Sequence, residues 1–291
     1  MQLTAWTGRP GRRFPPAVIR WFQSCQTCRA GVSPGGDIVL RITKVFVGLI
    51  AALSLVASVG REAGAAAVNI TWMSMAPVPL NSTVPSGSVF NVPGIGNVTV
   101  TYSMPAVYSN SRTQSACLQN GSVVVGPDTW SWTNHELFAA IYTVGPDPIF
   151  PLPYTITYTL PGLFPAGSVY LGFAGLGATT SFGGGASTGT VNQNGTFLGD
   201  WSGGCGPWGP TLFTGGAGTF QLQNSLTAPG GLDPNWNTPL GVVRIDDTVN
   251  SVTATMGQLR GDGVGLNIGF NVQHPTFTHG TSWGRLKHIY R

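Results

Sequence analysis

The chain holds 291 residues, among them 42 Gly and 22 Pro, and only 8% are charged. Gly and Pro both weaken helix interiors, so a fold of long helices is excluded. The net charge of +4 does not point to nucleic acid: the stretch before Val68 carries eight basic and two acidic residues, and the rest carries six basic against eight acidic.

Residues 1–38 are rich in Arg, Pro and Trp and lack periodicity, and they read either as sequence lying upstream of a true start at Val39 or Leu40 or as a disordered leader. The Cys25-x-x-Cys28 pair there has no second half of a zinc site beside it. Residues 39–67 have the order of a secretory signal peptide. Arg41 and Lys44 come first, an uncharged and largely apolar run from Val45 to Val59 follows, and Ala63-Gly-Ala-Ala-Ala67 supplies the small-residue exit. The apolar run stops at Gly60-Arg61-Glu62, whereas a membrane span takes about 20 apolar residues. Contact with a membrane is therefore expected only in transit, and the mature chain is expected outside the cytoplasm or at the cell surface.

Residues 68–275 read as one all-β domain, a β-sandwich of jelly-roll type, and residues 276–291 as a C-terminal tail. Period-two patterning marks Asn97–Tyr102 and Tyr154–Leu160; in the second, Tyr154, Ile156, Tyr158 and Leu160 share one face and three Thr share the other. Further strands are expected at Val68–Met75, Ser168–Phe173, Gly195–Leu198, Gly218–Leu222, Gly241–Ile245, Ser251–Met256 and Val264–Phe270, separated by turn residues. The stretch Asn134–Tyr142 reads as a short helix with Leu137, Phe138 and Ile141 on its apolar face. The Gly-rich run Gly172–Gly189 reads as a surface loop or hairpin, because no phosphate-loop signature accompanies it.

Cys117 and Cys205 survive removal of the leader and are expected to form one disulfide in an oxidising compartment. Five N-x-[ST] triplets (Asn69, Asn81, Asn97, Asn120, Asn194) are the chance product of an Asn- and Thr-rich β composition.

Candidate chemistry is sparse. Glu136 is the one Glu after the leader, and a glycosidase needs a carboxylate pair. Pro275 interrupts the His274–His279 spacing, which lacks the i, i+4 geometry of a helical zinc site. No catalytic residue is assigned, and no enzyme is expected. Asp246 and Asp247 at a strand end, with Asp262 in the Gly261-Asp-Gly263 turn, are the candidate oxygen ligands for Ca2+, the one cofactor considered. Trp130, Trp132, Trp201 and Trp208 are the candidate stacking surface for a glycan, with Trp130 and Trp132 on one face of a strand.

The segment Gly241-Val-Val-Arg-Ile-Asp-Asp247, then Ser251-Val-Thr-Ala-Thr255 and Gly261-Asp-Gly-Val-Gly-Leu-Asn-Ile-Gly269, resembles secreted bacterial β-sandwich proteins of the exosortase-sorted or choice-of-anchor kind. The ending Ser282-Trp-Gly-Arg-Leu-Lys-His-Ile-Tyr-Arg291 resembles a W-G-x-x-K-x-x-Y-R tail of exported bacterial proteins. The resemblance implies export and attachment rather than an activity. The expected function is thus that of a non-enzymatic extracellular or cell-surface protein, structural or adhesive, with glycans or cell-envelope components as partners. Carbohydrate binding through exposed Trp is the first alternative, and a secreted glycoside hydrolase on a jelly roll is the second.

Overall fold

The alternation of apolar and polar residues is realised as strands throughout. A computed structural model of the chain describes residues 65–143, 152–179, 185–206, 208–225, 237–258 and 263–272, and every regular element among them is a strand. In chain order these are β1 (Ala67–Trp72), β2 (Ser88–Val92), β3 (Gly96–Ser103), β4 (Tyr108–Thr113), β5 (Gly121–Val125) and β6 (Asp128–Trp132). Next come β7 (Leu137–Tyr142), β8 (Pro153–Phe164), β9 (Val169–Ala174), β10 (Ala178–Thr179), β11 (Gly185–Ala186) and β12 (Thr188–Val191). The last six are β13 (Gly195–Trp201), β14 (Thr211–Gly216), β15 (Thr219–Asn224), β16 (Leu240–Ile245), β17 (Val249–Gly257) and β18 (Val264–Asn271).

Two sheets face each other, as expected of a β-sandwich. One has seven strands in the order β14-β15-β12-β17-β8-β3-β2, and β10 and β11 pair separately. The other has nine, with a main path β13-β16-β9-β18-β1-β6-β5 and a branch through β7 and β4. These counts exceed the eight strands of a simple jelly roll, and β1 runs parallel to β6 while the other pairings are antiparallel.

The main core fills the space between the sheets. Tyr154, Ile156 and Tyr158 of β8 and Val252, Ala254 and Met256 of β17 meet Leu171 and Phe173 of β9 and Leu266, Ile268 and Phe270 of β18. The Tyr158 hydroxyl donates across the gap to the Leu266 carbonyl (3.4 Å), and burial raises its pKa well above the ordinary phenol value.

The nine-stranded sheet is covered on its other face too. Ile70, Trp72, Leu118, Val123, Trp130, Trp132, Tyr170, Leu198 and Val242 form a second cluster there. Burial on both faces explains why β9 and β18 are buried along their whole length instead of alternating. The sheet admits the bulky rings because small residues face them: a Cβ on Gly269 would lie 2.6 Å from Ile70 and Trp72. This cluster is closed where β5 comes alongside β13, the Trp201 indole N–H donating to the Asn120 carbonyl at 3.1 Å.

Strand β18 is where the sheet forks. Its one side pairs β9 along its length, and its other side pairs β7 from Val264 to Leu266 and β1 from Gly269 to Asn271. Diverging strands leave backbone carbonyls without a ladder partner, and buried carbonyls need one. Asn267 supplies it, donating to the carbonyls of both Met73 (3.0 Å) and Glu136 (2.7 Å) while its own oxygen accepts the Ile268 N–H.

The stretch expected to be helical is therefore the strand β7. Leu137-Phe-Ala-Ala140 is buried in full because β18 lies on one side and β4 on the other. A short run buried on every side has no period to read. The Gly-rich run holds an antiparallel pair, β10 with β11, in keeping with the hairpin expected there, while its start belongs to β9 and its end to β12, where Gly189 packs beneath Phe173.

Candidate functional site

The expected disulfide is present. Cys117, after β4, and Cys205, after β13, are bonded with Cα atoms 5.8 Å apart and close a loop of sequence separation 88. The link fastens the ends of the curled sheet where β5 meets β13. Gly203 in the same turn has φ 60°, and a Cβ there would fall 1.7 Å from the Cys117 carbonyl oxygen. No other residue type fits against that carbonyl. Replacing both cysteines by Ser is expected to lower stability by about 4 kcal/mol in the chain-entropy picture, measured by urea unfolding under non-reducing conditions. An unchanged midpoint would show that the bridge carries no stability.

The four candidate tryptophans separate into two kinds. Trp130 and Trp132 share a face of β6, as the i, i+2 spacing requires, but that face is the buried one, at 5% and 2% exposure. They pack in the second cluster, where Trp132 donates its N–H to the Leu118 carbonyl (3.2 Å) and meets Trp72 and Trp201 edge to face, each at 6.3 Å. Neither can stack on a sugar, since a ring inside the fold offers no face to a ligand. Trp201 and Trp208 are half-buried and flank the exposed Gly203-Gly-Cys205 turn. Trp236 lies outside the described residues.

The acidic candidates have partners within the chain. Asp246 accepts from Arg244 Nε at 2.8 Å and from the Thr196 hydroxyl at 2.6 Å. Asp247 accepts from the backbone and side-chain N–H of Asn194, and these bonds hold its carboxyl below the usual range. The two therefore tie the β16–β17 turn to Asn194 and Thr196. Asp262 lies outside the described residues, and among those described no group of three His, Cys, Asp or Glu side chains is placed to hold a metal ion. Asp200 binds the Thr211 N–H (2.9 Å) and hydroxyl (2.6 Å); burial raises its pKa and these bonds oppose the rise.

Glu136, the one candidate for carboxylate chemistry, is a structural anchor at the fork. Its Oε2 accepts from Arg112 Nε (2.9 Å) and the Met75 N–H (2.8 Å); its Oε1 accepts from Arg112 Nη2 (2.6 Å) and the Ser74 hydroxyl (3.1 Å). Arg112 also donates to the Val78 carbonyl. Both oxygens are thus engaged in holding the segment after β1 against β4.

Next to it, His135 is 1% exposed, and neither ring nitrogen has a hydrogen-bond partner among the described residues. Its ring lies against Trp72 at 4.7 Å, edge to face, and burial pulls its pKa down to about 3. Nothing in the sequence marked His135 as buried, because it sits between the exposed Asn134 and the acid Glu136.

No protein-family model matches the chain, and neither a curated protein nor a solved structure matches it. Of the segments that carry the resemblance to exosortase-sorted proteins, Gly241–Ile245 falls in β16, Ser251–Thr255 in β17 and Val264–Gly269 in β18, while Gly261 and Asp262 lie outside the described residues. β16 and β18 lie in the nine-stranded sheet and β17 in the other. The signal-peptide segment up to residue 64, Cys25 and Cys28, and the tail 276–291 lie outside the described residues. Among the described residues no helix is long and apolar enough to cross a membrane.

Proposed function

We propose that the chain is an exported, non-enzymatic β-sandwich module that acts outside the cytoplasm as a structural or adhesive element. The observation that carries this reading is the Cys117–Cys205 bridge, since such disulfides persist in oxidising compartments and are rare in the cytosol. The basic, apolar and small-residue order of residues 39–67 supports it from the sequence. So does the use of Glu136, Asp200, Asp246 and Asp247 as internal ties rather than as free groups.

The test is fractionation of cells producing the full gene product, with intact mass and thiol alkylation of each fraction. The expected species lies outside the cytoplasm, begins after Ala65 or Ala67, and resists alkylation until reduced. A full-length cytoplasmic species with free thiols would overturn the reading.

A further inference from the structure

The seven-stranded sheet buries one face in the main core, and the central strands of its other face present rows of hydroxyls, with exposed Val89 and Leu212 on its edge strands and Leu163 at the end of β8. Because β3, β8, β17 and β12 are paired in register, their outward residues form rows. One row runs Ser103, Thr155, Thr255, Thr190 and then Gln221 of β15. The next, two residues along, runs Thr101, Thr157 and Thr253. Sheet geometry sets these hydroxyls about 4.8 Å apart across strands and about 6.6 Å apart along them.

The rows are also pre-ordered. Thr side chains are stiff at χ1, the hydroxyls of Thr157 and Thr253 are hydrogen-bonded at 2.8 Å, and Gln221 donates to the Thr190 hydroxyl at 3.0 Å.

The described strands of this layer carry no charge. The seven strands contain no Asp, Glu, Lys, Arg or His, while the described charged residues, Arg112, Glu136, Asp200 and Arg244 among them, lie on the nine-stranded sheet or in turns. Among the described residues of this face, polyanions find no cation to pair with. The rows equally lack the Trp, Tyr and Arg anchors that dominate protein interfaces. What the central strands offer is an ordered set of neutral donors and acceptors, with the exposed apolar side chains Val89, Leu163 and Leu212 at the margins. Each hydroxyl contact replaces one with water and gains little net, so adhesion requires a partner that meets many of them at once.

We propose that the outward face of the seven-stranded sheet is an adhesive surface for a neutral polysaccharide in extended, ordered form. The proposal rests on the adhesive reading above and names its partner and its surface. It also moves glycan contact from the tryptophans to the Thr rows. Short soluble oligosaccharides, which cover too few rows, bind too weakly to register.

The experiment is depletion of the disulfide-intact mature protein by insoluble cellulose, chitin and β-1,3-glucan, with alginate as the anionic comparison. The expected result is depletion by at least one neutral polymer, undiminished at high salt because no ion pair is involved, and none by alginate. Thr101→Lys with Thr255→Lys, both at exposed positions, should weaken it at least tenfold with an unchanged circular dichroism spectrum. Val124→Lys on β5 of the other sheet should leave it unchanged. No depletion by any neutral polymer, or equal depletion by the Thr variant, overturns the proposal. So does a dimer in sedimentation that the Thr variant dissociates, since the face is then covered by a second copy. Failure here with the protein still found outside the cytoplasm sinks this surface and leaves the export reading standing.

Discussion

Arg112→Met is expected to cost about 3–5 kcal/mol, because it strands a buried carboxylate without its counter-charge. Glu136 keeps the bonds from Met75 and Ser74 in the variant but loses both arginine contacts, and its side chain is only 5% exposed. The Val78 carbonyl also loses its donor. Urea unfolding at neutral pH measures the effect as a drop in midpoint. Removing the acid as well, in Arg112→Met with Glu136→Leu, should restore part of the loss, with a coupling of about 1–3 kcal/mol. Recovery is partial because the Met75 N–H then lacks its acceptor. A single-variant loss under about 1 kcal/mol, the range of exposed pairs, would show that the pair is solvated and does not anchor the fork.

This ion pair marks the boundary of what the residues alone disclose. Strands with one wet face were legible, because β3 and β8 alternate in step with the pleat. Strand β7 was not, since its first four residues are buried on all sides and leave no polar phase. Strand β4, Tyr-Ser-Asn-Ser-Arg-Thr, was missed for the opposite reason. Its polar residues suit a loop, yet β7 pairs one edge and the backbone of Asn81 and Ser82 pairs the other at Arg112.

The candidate site follows the same logic. Two cysteines in an exported chain leave one intramolecular pairing, so the bridge was readable. The i, i+2 spacing placed Trp130 and Trp132 on one face but cannot say which face is wet, and the second cluster that buries them exists only because the sheet curls back on itself. The outward phase of Thr155, Thr157 and Thr159 was also readable. That the phase is shared by β3, β17 and β12 depends on register, which no single segment carries.

Acid is expected to destabilise the domain through His135. In the unfolded chain the imidazole titrates near its ordinary 6.5, and in the folded chain burial lowers this to about 3. Between those values the unfolded state binds the proton and the folded state does not, so stability falls as pH falls. The contribution is fully present above about pH 6.5 and is lost at about 1.4 kcal/mol per pH unit until the folded group titrates. Lowering the pH from 7 to 4 should therefore remove about 3 kcal/mol on this account. His135→Phe isolates it, because Phe keeps an aromatic ring against Trp72 and carries no group to protonate. The variant should be at least as stable as the parent at pH 7, since two buried nitrogens without partners are removed, and its loss between pH 7 and 4 should be smaller by that amount. Urea midpoints of both proteins across this range provide the measurement. Parallel pH profiles would mean that His135 gains a proton freely in the folded state and is not sealed behind Trp72.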